Sequence, residues 1–68
     1  MDNKLQTFRV TFYRDKHCQV ELAVVEVRAF AIGLTYAPAV RYLEAHLPQS
    51  AAMVKADCVA FTSELVGP

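Results

Sequence analysis

The chain has 68 residues, seven basic and seven acidic side chains, 54% hydrophobic residues and two cysteines. That length bounds it to one domain over residues 1–68, and folding buries only about 60% of the surface an unfolded chain of this size exposes. Balanced charge gives no general attraction to nucleic acid or anionic membrane. No apolar run approaches the roughly 18–20 residues of a transmembrane helix, and Met1-Asp2-Asn3-Lys4 lacks the layout of a signal peptide, so a cytoplasmic protein is expected.

From Thr7 to Tyr13 the residues alternate, with Phe8, Val10 and Phe12 on one side and Thr7, Arg9, Thr11 and Tyr13 on the other. This period of two in β-branched and aromatic residues predicts a half-buried strand. Arg14-Asp15-Lys16-His17 reads as a hairpin turn, after which Cys18, Val20, Leu22 and Val24 point inward. The phase slips at Val24-Val25, because Val25 and Val27 are now the apolar positions, and a slip of this kind predicts a β-bulge.

Tyr36, Val40, Leu43 and Leu47 recur at helical spacing. Thr35 is placed to cap this helix, Pro38 falls in the first turn and Pro48 stops it; Ile32 lies on the same stripe, which leaves an earlier, kinked start open. Residues 53–65 fit two patterns. A strand would separate Val54, Ala56, Cys58 and Ala60 from Met53, Lys55, Asp57, Val59 and Phe61, whereas a helix after a Ser50 cap would align Val54, Cys58, Phe61 and Leu65. Because an isolated hairpin is marginal, a third strand is favoured.

The resulting fold is α+β: ββαβ, a three-stranded antiparallel sheet of order 2-1-3 with one helix packed on one face. Tyr36, Val40, Leu43 and Leu47 cover Phe8, Val10 and Phe12, and the other face stays open. Cys18 and Cys58 then lie on the two outer strands, roughly 9–10 Å apart and beyond disulfide reach, so two free thiols are expected.

No enzyme, metal or cofactor is expected. His17 and Cys18 point to opposite faces of a strand, and His46 with Cys58 has no third orienting group. The four residues also lack the short paired spacings of zinc sites. For nucleic acid, Arg9, Tyr13 and Lys55 could share the open face, but Glu21 and Asp57 flank it and make that reading unfavoured.

A protein partner accounts for more of the sequence. With one sheet face and one helix stripe buried, Ala23, Val25, Phe30, Leu34, Val59, Phe61 and Val66 remain to complete the core or form an exposed patch. Arg9, Thr11, Tyr13, Glu21, Lys55 and Phe61 are the expected partner-binding residues; Arg, Tyr and Phe are enriched in interfaces. The partner is a subunit of a host complex, a second copy of the chain in a homodimer, or both.

The strand Phe8-Arg9-Val10-Thr11-Phe12, the turn Arg14-Asp15-Lys16-His17, the strand Val20-Glu21-Leu22 and the helix ending at Leu47-Pro48 together resemble, in architecture, the small ββαβ proteins of phages and mobile elements, anti-CRISPR proteins among them. That resemblance implies a stoichiometric inhibitor that occupies a surface of a host nucleoprotein complex without turnover. Balanced charge makes steric blocking the expected mode over acidic mimicry of nucleic acid.

Overall fold

The computed structural model describes residues 4–67. Three strands, β1 (Gln6–Tyr13), β2 (Glu21–Ala29) and β3 (Ala60–Gly67), form an antiparallel sheet in the order β2-β1-β3. Two helices, α1 (Tyr36–His46) and α2 (Pro48–Asp57), connect β2 to β3 after a single 3₁₀ turn at Ile32–Leu34. The α+β class, the antiparallel sheet and the central position of β1 agree with the sequence reading; the single helix does not.

β1 is central because its alternating face is the most apolar in the chain. Phe8, Val10 and Phe12 are buried and stand opposite Val27, Val25 and Ala23 of β2 and Leu65, Ser63 and Phe61 of β3. Val10, Phe12, Val25 and Val27 pack with Ala39 and Leu43 of α1 and Ala51 and Val54 of α2 to make the core. Directly opposed residues share a sheet face, so this inner, helix-bearing face comprises the residues just named. Arg9 and Thr11 lie on the outer face with Val24 and Glu26 of β2 and Thr62 and Glu64 of β3.

The hairpin loop is longer than expected, and Cys18 lies within it instead of on β2. Asp15 Oδ1 accepts from the backbone N–H groups of Gln19 (2.9 Å) and Val20 (2.8 Å). The Cys18 N–H donates to the Asp15 carbonyl, and the Arg14 N–H donates to the Val20 carbonyl. These bonds delay strand pairing until Glu21. The Val20 N–H, supported by the Gln19 N–H, holds the Asp15 carboxyl below its ordinary value. Cys18 itself has a φ of 58°, in the left-handed region.

The bulge exists, but two residues before the expected slip. Phe12 faces Ala23 and Tyr13 faces Glu21, leaving Leu22 as the extra residue. Val24 therefore points outward and is exposed, against the expectation that it lies inward, while Val25, Val27 and Ala29 carry the buried phase.

The helical stripe also rotates from its expected position. Ala39 and Leu43 are the buried residues of α1, Val40 is partly buried, and Tyr36 and Leu47 are exposed. A second helix takes up the covering that Leu47 was expected to provide. Pro48 initiates α2 because it occupies the first helical turn, where its missing N–H breaks no bond. Thr35 precedes α1 but makes no side-chain cap. Its backbone is already helical (φ −92°, ψ −22°), unlike the extended conformation usual at a capping residue. The Thr35 hydroxyl instead donates to the Ile32 carbonyl (2.9 Å) and meets the Ser63 hydroxyl at 2.7 Å.

Residues 53–65 realise both patterns in turn. Helix continues through Asp57, and strand begins at Ala60. Cys58, where the change occurs, is extended (φ −71°, ψ 125°), and the Val59 N–H already donates to the Tyr13 carbonyl (3.0 Å). Both cysteines are free thiols. Neither lies on a strand, so the separation inferred from strand spacing does not apply to them.

Candidate interaction site

The outer face of the sheet centres on Arg9. Its guanidinium lies between the carboxylates of both neighbouring strands: Nη2 is 3.3 Å from Glu26 Oε2 and Nη1 is 3.1 Å from Glu64 Oε1. The antiparallel register produces this arrangement, since Arg9 stands opposite Glu26 on β2 and Glu64 on β3. Thr11 is buried even though it lies on the open face, with Val24 and Thr62 opposite it. Tyr13 is half-buried at the end of β1 and faces exposed Glu21 across the bulge. Arg9, Thr11, Tyr13 and Glu21 therefore fall along one strand and its neighbour, as the alternation predicts.

Lys55 and Phe61 are placed elsewhere. Lys55 belongs to α2 and pairs with Glu44 of α1, because residues 53–57 are helical and not part of a strand. Asp57, expected to flank the open face, ends α2 and lies 3.9 Å from Arg14. Phe61 is on the inner face of β3. Its ring centroid is 4.9 Å from that of Tyr36 and 6.3 Å from that of Phe12, while Tyr36 meets Phe12 edge-on at 5.8 Å.

This aromatic cluster marks a second surface. Both helices pack over β2, α2 also reaches β1, and the 3₁₀ turn lies over β3. The β3 half of the inner face is consequently thinly covered. Phe61 (45%) and Leu65 (56%) remain exposed, together with Ile32, Leu34 and Tyr36. The sequence identified Phe61 and Leu34 as unassigned apolar residues but placed Tyr36 in the core. Glu26 and Glu64 were missed as partners of Arg9: alternation gives their face, but only the register gives their neighbour.

The candidate nucleophiles and ligands are dispersed. His17 is exposed and Cys18 half-buried in the hairpin loop. His46 ends α1 with its ring 4.5 Å from that of Tyr42, and the Cys58 thiol donates to the Ala60 carbonyl. Among the described residues, no group of three or more His, Cys, Asp or Glu side chains is arranged to hold a metal ion. An open hollow at the α1–α2 corner is lined by the consecutive residues His46, Leu47, Pro48, Gln49 and Ser50 alone. No described helix is long and apolar enough to cross a membrane. Comparison with protein-family models, with curated proteins and with solved structures gives no match.

Proposed function

We propose that the chain is a non-catalytic interaction protein of the cytoplasm that works by occupying a protein surface, in the manner of a phage-encoded, anti-CRISPR-like inhibitor that sterically blocks a host nucleoprotein complex. The observation that carries this reading is the pairing of Arg9 with Glu26 and Glu64. A nucleic-acid phosphate would have to compete with two carboxylates already in place and would meet their repulsion. A protein surface, by contrast, can pack on a face whose central charge is already compensated and which also presents Tyr13, Val24 and Val66. Arg9, Tyr13 and Glu21 form the docking surface on this reading, with Thr11 buried between them, while Lys55 and Phe61 belong to the opposite side of the sheet.

The test is capture of a stoichiometric partner from a bacterial lysate by the immobilised chain, with identification of the bound subunit. Tyr13→Ala and Arg9→Ala should weaken capture while the protein remains folded. Recovery of no stoichiometric partner would count against the proposal. So would retardation of nucleic acid at low salt that disappears on substitution of Arg9, because that result would assign the open face to phosphate.

A further inference from the structure

We infer that β3 pairs antiparallel with β3 of a second copy, about a two-fold axis at Ser63, joining two three-stranded sheets into one of six strands. This goes beyond a partner on the open face and does not depend on it.

The two edges of the sheet differ. β2 carries Glu21, Glu26 and Arg28, is bulged at Leu22 and has both helices packed over it. Charges and bulges of this kind keep an edge from pairing. β3 has eight residues without Lys, Arg or Pro. Its one charged side chain, Glu64, is held by Arg9, and its irregularity falls at Val66, leaving Ala60–Leu65 in regular register with β1.

Face matching and charge select the axis. Keeping both inner faces on one side of the joined sheet requires residues of the same face to oppose each other. An axis at Glu64 would set two carboxylates directly opposite, and an axis at Thr62 would put Phe61 against Ser63. With the axis at Ser63, each Phe61 opposes Leu65 of the second copy and each Glu64 opposes Thr62, so the exposed apolar residues meet one another and the carboxylates are kept apart.

The available area suits such a pairing. Phe61, Leu65, Ile32, Leu34 and Tyr36 are each about half exposed. At roughly 100 Å² apiece they offer about 500 Å² per copy. The free strand edge and the outward residues Ala60 and Val66 extend this toward the roughly 800 Å² per partner of a stable interface.

Light scattering or sedimentation of the purified full chain over a dilution series tests the inference. A species of about 15 kDa, twice the 7.6 kDa of the chain, is expected at high concentration. Leu65→Lys should raise the dissociation constant at least about tenfold, whereas Arg28→Glu on the other edge should leave it unchanged. As an independent test of register, Phe61→Cys mixed with Leu65→Cys should form an intermolecular disulfide on oxidation. Opposed Cα atoms are about 4.5–5.5 Å apart, within disulfide span. Neither variant alone, nor the parent with Cys18 and Cys58, should form that link. A monomer throughout the series, a dimer indifferent to Leu65→Lys, or equal crosslinking by the single variants would overturn the proposal. Failure here leaves partner capture from lysate as a separate result.

Discussion

Arg9 and Glu64 stand 55 residues apart in the chain and 3.1 Å apart in space, so the first strand and the last are tied at the middle of the open face. Both side chains are well exposed, and the pair is worth only about 0.2–1 kcal/mol. A double-mutant cycle on Arg9→Ala and Glu64→Gln should return a coupling in that range that shrinks with added salt. Arg9→Glu should do more than remove the coupling, since it places three carboxylates side by side. Its stability loss, read from urea unfolding, should be greatest at low ionic strength.

Truncation of the core should separate folding from binding. Leu43 and Phe12 are fully buried, and Leu43→Ala should cost about 2–5 kcal/mol and Phe12→Ala about 3–5 kcal/mol. In a domain of this size either loss takes most of the stability, so thermal melts should show little or no cooperative transition. Tyr13→Ala should retain a transition close to that of the parent.

The hydroxyl of buried Thr35 links the residue before α1 to the middle of β3. Because it donates to the Ile32 carbonyl, it accepts from Ser63. Thr35→Val keeps the shape and removes both bonds, and should cost about 1–3 kcal/mol by chemical denaturation. Thr35→Ser should recover most of that loss.

The hairpin loop should make stability depend on pH in the acid range. The Asp15 carboxyl lies below its ordinary value in the folded chain, so the unfolded state takes up a proton first as pH falls. Its stabilising contribution is complete above the unfolded value near 4 and is lost as pH drops toward and through the lower folded value. Asp15→Asn retains an acceptor oxygen but cannot titrate. Thermal melts between about pH 2 and pH 6 should therefore show a flatter profile for this variant than for the parent.

Cys18 adopts a left-handed backbone that side chains with a Cβ resist. Cys18→Gly should raise stability by about 0.5–1 kcal/mol, the relief of that strain less the added freedom of the unfolded chain. Cys18→Ala keeps the Cβ and should show no such gain in the same urea titration.

The parts of the fold legible in the sequence were those written in local periodicity. Phe8, Val10 and Phe12 identified β1 and its buried face, and the right-handed crossover through the helical segment gave the strand order. The bulge left a trace in the phase of Val25 and Val27 without revealing its position, because Leu22, Ala23 and Val24 are all apolar and fit either frame. Pro48 was ambiguous for a physical reason: the residue that ends one helix is also favoured at the first position of the next. Residues 53–57 carry apolar side chains at positions shared by both periods, and tertiary packing of Val54 decided for helix. In the candidate site, Arg9, Thr11 and Tyr13 were placed correctly by alternation. Lys55 was misplaced with its segment, and the carboxylates around Arg9 depended on a register that no local pattern records.

The central strand is also the first strand of the chain, which sets an order of assembly. β1 can pair with β2 across a short loop, but its other side waits for Ala60–Gly67, after both helices. Closing that long loop costs more entropy than closing the hairpin. Until β3 docks, a β1 already paired with β2 therefore has one side open. An unpaired side of this kind is a template on which another chain can pair.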